Sequence, residues 1–137
     1  MIKESLIGKF EKIVGKENVL TSKESLKAYS YDGTSSWIHE PDVVLFPTST
    51  AEIAAIMKIA NAEKVPVTPR GGGTNVSGGS VPIQGGIVLA LTKFNKIIRI
   101  DKENMTATVE PGVVLMDLNM ALAREGLFFP PDPQSFL

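Results

Sequence analysis

Residues 69–79 read Pro-Arg-Gly-Gly-Gly-Thr-Asn-Val-Ser-Gly-Gly. Five glycines fall among these eleven residues, interspersed with Arg70, Thr74, Asn75 and Ser77. Glycine reaches backbone conformations with φ > 0 and lets a ligand lie against the main chain. Successive amides in such turns converge into a concave nest for an anion. The chemistry on offer is phosphate binding by backbone N–H groups.

Spacing separates the kinds of phosphate site. A dinucleotide fingerprint, Gly-x-Gly-x-x-Gly, starting at Gly71 and Gly73 needs a third glycine at 76, where Val76 stands. It also needs a helix to open at that point. A Walker A loop finds Gly73 and Gly78 correctly separated and Ser80 as its hydroxyl, but its lysine position is Gly79. Without that lysine, the β- and γ-phosphates of a triphosphate lose their main counter-charge.

The loop must be delivered by the elements around it. Ile2, Leu6, Ile7, Phe10, Ile13 and Val14 recur at helical spacing, and Gly15 can end that helix. Thr21 with Glu24 fits a capping box that opens a second short helix to about Tyr29. Residues 30–41 are polar, aromatic and turn-like, an irregular arm in which Tyr31 and Trp37 serve packing. Val43–Phe46, closed by Pro47, reads as a buried strand. Ser49 with Glu52 caps a helix whose stripe is Ile53, Ile56, Met57 and Ala60. Pro66–Pro69 is extended, so strand, helix and strand lead into the glycine loop as a small βαβ-like unit. Beyond the loop, Ile87–Leu91 is a strand, 96–101 and 106–110 form a hairpin, and Val113–Glu125 is a helix closed by Gly126. Met57, Met116 and Met120 fall in helices, where packing is the expected role. The fold class is α+β.

Composition narrows the function. The chain has 137 residues, enough for one domain or part of one, and 43% of them are hydrophobic. A formal charge of −1 argues against nucleic-acid binding, which calls for clustered Lys and Arg. The absence of cysteine excludes disulfides, thiolate nucleophiles and Cys-based metal sites within it. Residues 1–10 lack the apolar core of a signal peptide, and no stretch approaches the ~20 apolar residues of a membrane span. A cytoplasmic protein is expected, at most peripheral to a membrane complex.

Four segments in order resemble the FAD-binding domain of the vanillyl-alcohol-oxidase/p-cresol-methylhydroxylase (PCMH) type flavoproteins. They are Pro41–Ser49 with the helix after it, Pro69–Gly79, Val109–Val113 and Pro130–Pro133. Within that family the chain looks most like flavin subunits of glycolate oxidase and D-lactate dehydrogenase. The resemblance implies residues 1–40 as an N-terminal helical arm and 41–137 as the N-terminal part of the FAD-binding domain. The final Pro-Pro-Asp-Pro-Gln-Ser-Phe-Leu then reads as a loop cut short, before a further glycine-rich stretch and a substrate cap.

The resemblance also assigns residues. Backbone amides of Gly71, Gly72, Gly73, Thr74 and Asn75 would wrap the FAD pyrophosphate, with Ser77, Gly78 and Gly79 continuing the wrap. Pro47 would line the adenine side. Pro111, Gly112 and Val113 would line the cofactor where a strand meets its helix. Pro131, Asp132 and Pro133 would approach the flavin from the far loop. Some relatives attach FAD through a histidine at the end of the glycine run; Thr74 stands there, so FAD is expected to be non-covalent. The implied partners are a small 2-hydroxy-acid substrate and electron-transfer subunits. No catalytic residue and no metal ligand is assigned in this segment.

Several residues keep a plain alternative. Arg70 can neutralise phosphate or pair with a carboxylate. Asn75 and Ser77 can bond the cofactor or cap their own turn. Glu110 can simply end a strand, and Asp132 can shape its own loop. His39, the only histidine, lies off the motif and reads as a loop residue. At the level of function the alternatives are a non-catalytic diphosphate-binding fragment and a PCMH-type flavoenzyme with another substrate.

Overall fold

The computed structural model describes residues 2–34 and 36–131. Its helices are α1 (Glu4–Val14), α2 (Lys23–Lys27), α3 (Thr50–Glu63) and α4 (Leu115–Ala123). Its strands are β1 (Val19–Leu20), β2 (Val43–Leu45), β3 (Val67–Arg70), β4 (Ile87–Ala90), β5 (Ile97–Asp101) and β6 (Thr106–Val109). The α+β class expected from the sequence is the class observed.

Leu6, Phe10 and Val14 recur every fourth residue and form the buried face of α1. Gly15, at φ 86°, ends it. The N-cap of α2 is Ser22 and not Thr21: the Ser22 hydroxyl accepts from the Ser25 amide at 3.3 Å. The cap of α3 is Ser49 as expected, accepting from the Glu52 amide at 3.3 Å. Glu52 reaches one residue further back than a capping box requires and accepts the Thr48 amide at 2.7 Å.

The main sheet runs β1-β2-β4-β3, antiparallel at β1/β2 and parallel elsewhere. Thus β2–α3–β3 is the expected unit, but β4 occupies the place between its two strands. Strand β1 was not expected, because two residues carry no readable period. It contributes residues from before position 41 to the same sheet, pairing Val19 with Leu45 and Leu20 with Val44.

Every residue of β2 and β4 is buried, as parallel strands covered on both faces should be. The alternation of side chains sorts them. Val43, Leu45, Ile87 and Leu89 pack against Leu6, Phe10, Val14, Ile56 and Ala60 of α1 and α3. Val44, Val88 and Ala90 face Leu26, with Leu20, Tyr29 and Phe46 alongside. Tyr29 meets Phe46 edge to face, with ring centres 5.9 Å apart.

Strands β3 and β4 are parallel neighbours, so the chain leaving Arg70 must return to the start of β4. It does so through residues 71–86 without a helix, where most parallel pairs use one. The glycine loop is that return path.

Strands β5 and β6 form a separate two-stranded ribbon with an irregular register between Ile97 and Arg99. Helix α4 closes as expected at Gly126, with bonds from the Gly126 amide to Ala123 O and from the Leu127 amide to Leu122 O. Packing was expected for the methionines, but Met57 and Met120 are 44% and 52% exposed. Met57 lies about 100° around its helix from Ile56, which faces inward.

Candidate functional site

The site is built at the end of β3. Arg70 is the last residue of that strand, and only 7% of it is exposed. Its Nη1 donates to the Tyr31 carbonyl at 2.7 Å, and its guanidinium carbon lies 5.5 Å from the centre of the Tyr29 ring. Among the described residues no carboxylate pairs with it. Of the two roles open for Arg70, a carboxylate partner is not found among the described residues, and the guanidinium lies beneath the loop. The loop closes over it: a Cβ on Gly73 would overlap the guanidinium, and Gly73 has φ 72°.

Gly71 and Gly72 differ from Gly73. Neither has positive φ, and a Cβ would meet nothing within 4 Å at Gly71 and only the Thr74 methyl, at 3.7 Å, at Gly72. Nothing inside the chain requires glycine at these two exposed positions. A ligand brought against the backbone there would, because a side chain would hold it away.

The arm of residues 30–41 holds the loop from the other side. Asp32 is 8% exposed. Its Oδ1 accepts the Thr34 amide at 2.7 Å, and its Oδ2 accepts Asn75 Nδ2 at 2.6 Å. The Asn75 Oδ1 in turn accepts the Ser80 hydroxyl at 2.7 Å, and that hydroxyl also lies 3.5 Å from Asp32 Oδ2. An ionised carboxylate only accepts hydrogen bonds, so Asn75 must turn its NH₂ to Asp32 and its oxygen to Ser80. Burial tends to raise the Asp32 pKa, but hydrogen bonds from Thr34, Asn75 and Ser80 outweigh it and hold the carboxyl below its ordinary range. The Gly33 amide donates to the Asn75 carbonyl at 2.9 Å. The Trp37 ring lies against Gly78, where a Cβ would fall 2.5 Å from Cε3.

Sequence reasoning passed over Asp32, and it saw Trp37 as packing for the arm alone. The signal available was an acid followed by Gly-Thr in a polar segment, which resembles any turn. The Asn75 side-chain amide does not cap its own turn: it is engaged with Asp32 of the arm and with Ser80. The hydroxyls of Thr74 and Ser77 make no hydrogen bond among the described residues, and both residues are exposed. Gly79 is exposed beside Ser77.

The other expected residues lie apart from the loop in sequence and differ in setting. Pro47 is fully buried after β2. Gly112 packs on the turn after β4: its amide donates to Phe94 O at 2.8 Å, and a Cβ would strike the Leu91 carbonyl. Pro111 is exposed, Val113 is half-buried, and the Val113 amide donates to Glu110 O at 3.2 Å. Glu110 does more than end a strand, since its Oε2 accepts the Lys96 amide at 2.7 Å. Pro131 is exposed; Asp132 and Pro133 lie outside the described residues. His39 is exposed, with Nδ1 3.1 Å from Glu40 O.

A family model described as an FAD binding domain matches residues 41–137. The chain belongs to the FAD-binding domain family. FAD is therefore its cofactor. The glycolate oxidase subunit GlcD of Bacillus subtilis is 45% identical over 134 residues, covering 98% of this chain and 28% of that protein. A D-lactate dehydrogenase of Anaerostipes hadrus is 41% identical over 129 residues, covering 93% and 27%. The solved structure of p-cresol methylhydroxylase with substrate bound superposes with a TM-score of 0.80 at 31% identity, covering 90% of this chain and 25% of that one. The PCMH-type fold expected from the sequence is thus the fold found. The chain spans a little over a quarter of the length of the curated relatives it matches.

Gly71 and Gly72 offer open backbone, Gly73 turns it, and Arg70 supplies a cation below it. Lysine and Mg²⁺, which a triphosphate site adds, have no counterpart in the loop sequence. Among the described residues no helix is long and apolar enough to cross a membrane.

Proposed function

We propose that this chain is the FAD-binding part of a flavin-dependent oxidoreductase that oxidises a small 2-hydroxy acid of the glycolate or D-lactate type. The observation that carries the reading is the pairing of an open glycine backbone at 71–72 with the buried Arg70 beneath Gly73, which meets no carboxylate among the described residues. The similarity to the glycolate oxidase subunit and the D-lactate dehydrogenase supports the substrate class.

In this reading the residues of the chain bind and orient. The amides of Gly71–Asn75 surround the pyrophosphate, and the amides of Ser77–Gly79 extend that surface. Pro47 backs the adenine side, and Pro111, Gly112 and Val113 line the cofactor after the hairpin. Residues 1–40 are an N-terminal helical arm, and residues 41–137 are the first part of the FAD-binding domain. Bound FAD supplies an acceptor for the hydride equivalent leaving the substrate α-carbon. Thr74 offers no nucleophile comparable to imidazole, so the cofactor is held without a covalent bond. The same reading places the enzyme in the cytoplasm, with electron-transfer subunits as partners.

The test uses the full-length protein. Its absorption spectrum, acid precipitation and anaerobic titration with glycolate and D-lactate are recorded. The expected result is a yellow protein that releases its flavin into acid and is bleached by one of the two acids. A colourless protein unperturbed by added FAD overturns the reading. Flavin retained in the acid pellet overturns the non-covalent assignment. Flavin bleached by neither acid overturns the substrate class.

A further inference from the structure

We infer that Asp32 is a positioning residue for the diphosphate site, holding residues 71–80 in their ligand-accepting shape before any ligand arrives. The inference rests on the FAD reading and adds a residue that lies before the matched 41–137 region.

A carboxylate is an unexpected neighbour for an anion site. Its charge opposes the phosphate, so attraction for the ligand cannot be its use. Its hydrogen bonds point elsewhere. Both oxygens accept, from Thr34 within the arm and from Asn75 within the loop, and Asn75 passes the link to Ser80. Asn75 and Ser80 flank the second glycine pair, Gly78–Gly79. The arm reaches the loop twice more, through the Gly33 amide on the Asn75 carbonyl and the Trp37 ring on Gly78. These attachments gather on one side. Gly71 and Gly72, on the stretch before Asn75, stay open.

The physical need is entropic. Glycine loses more conformational freedom on ordering than any other residue, and this return path is rich in it. A loop that became ordered only on binding would spend part of its binding free energy on that ordering. If only a fraction of molecules hold the competent shape, the apparent affinity falls by that fraction. Asp32 raises the fraction by tying two points of the loop to an arm that is itself bonded to Arg70 at the end of β3.

The full-length protein, stripped of flavin, tests this in two ways. Amide hydrogen exchange is followed in residues 71–80 and in α1 and α3, for the wild type and for Asp32→Ala. FAD, ADP and riboflavin are then titrated by calorimetry; ADP carries the diphosphate without the flavin, and riboflavin the flavin without the diphosphate. Asp32→Ala should speed exchange in 71–80 and leave α1 and α3 unchanged. FAD and ADP should weaken together, by roughly tenfold or more, and riboflavin should not change. Asn75→Ala should cost about as much, and the double variant no more than either single, because the two residues act as one chain. If Asp32→Ala does not fold, Asp32→Asn, which keeps the volume and one acceptor, should show the same pattern more weakly. Unchanged ADP affinity, an equal loss for all three ligands, or strictly additive losses overturns the inference. A wild type that takes up neither FAD nor ADP overturns the FAD reading itself, and the inference falls with it.

Discussion

The guanidinium of Arg70 lies so close beneath Gly73 that a single methyl group on the glycine would overlap it. The two residues form a unit: a left-handed turn whose missing side chain is filled from below by a cation. Gly73→Ala should therefore destabilise the fold, by about 1–2 kcal/mol for the left-handed backbone alone. Chemical denaturation measures it, and an unchanged midpoint contradicts the geometry.

Gly71 and Gly72 should behave in the opposite way. A valine at either position meets no crowding inside the chain. Stability should stay within about 0.5 kcal/mol, while FAD affinity drops by roughly tenfold or more as the side chain occupies the space of the ligand. Paired thermal melts and flavin titrations separate these effects. Full FAD affinity in Gly71→Val or Gly72→Val would remove the case for backbone binding at that point.

Removing the cation leaves the turn itself intact. Arg70→Met keeps an apolar side chain of similar length but loses the bond to the Tyr31 carbonyl, the guanidinium over the Tyr29 ring and the charge. ADP should bind roughly tenfold or more weakly, and the loss should shrink as salt rises, since screening already weakens the attraction in the wild type. A loss that does not depend on salt would assign Arg70 to packing alone.

Asp32 sets an acid limit. Burial alone would raise its pKa, yet hydrogen bonds from Thr34, Asn75 and Ser80 leave it lowered. A carboxyl with a folded pKa below its unfolded value stabilises the fold above the unfolded value, about 3.9. That stabilisation is lost as pH falls through the folded pKa. Unfolding free energy measured from about pH 6 down to about pH 2 should decline less steeply in Asp32→Asn than in the wild type. Parallel curves would show that the carboxylate gains nothing from the loop.

Two consecutive residues of α3 report on the core. Ile56 is fully buried among residues of α1 and the sheet, whereas Met57 is 44% exposed. Ile56→Ala should cost about 2–5 kcal/mol, and Met57→Ala should stay within about 0.5 kcal/mol. Equal losses in denaturant titrations would mean that the helix is rotated from its described position.

Much of this protein was legible from residue order alone. Local rules act over a few residues: the apolar spacing of α1, the Ser49 cap, the runs Val43–Leu45 and Ile87–Ala90, and the glycine at the end of α4. The loop at 69–79 already read as a phosphate cradle of backbone amides, and the resemblance to the flavoprotein family made the phosphate that of FAD. What the order of residues could not show was which distant groups meet. Strand β4 enters between β2 and β3, a two-residue β1 joins the edge, and a turn-like Asp-Gly-Thr becomes the anchor of a loop 43 positions away. Thr21 and Ser22 compete for one cap with equal local chemistry, and Met57 fits a helical stripe that the packed helix turns outward. The reason is the same in each case. Periodicity and capping are set by neighbours along the chain, whereas burial, pairing order and the partner of a carboxylate depend on contacts that exist only once the sheet has brought remote segments together.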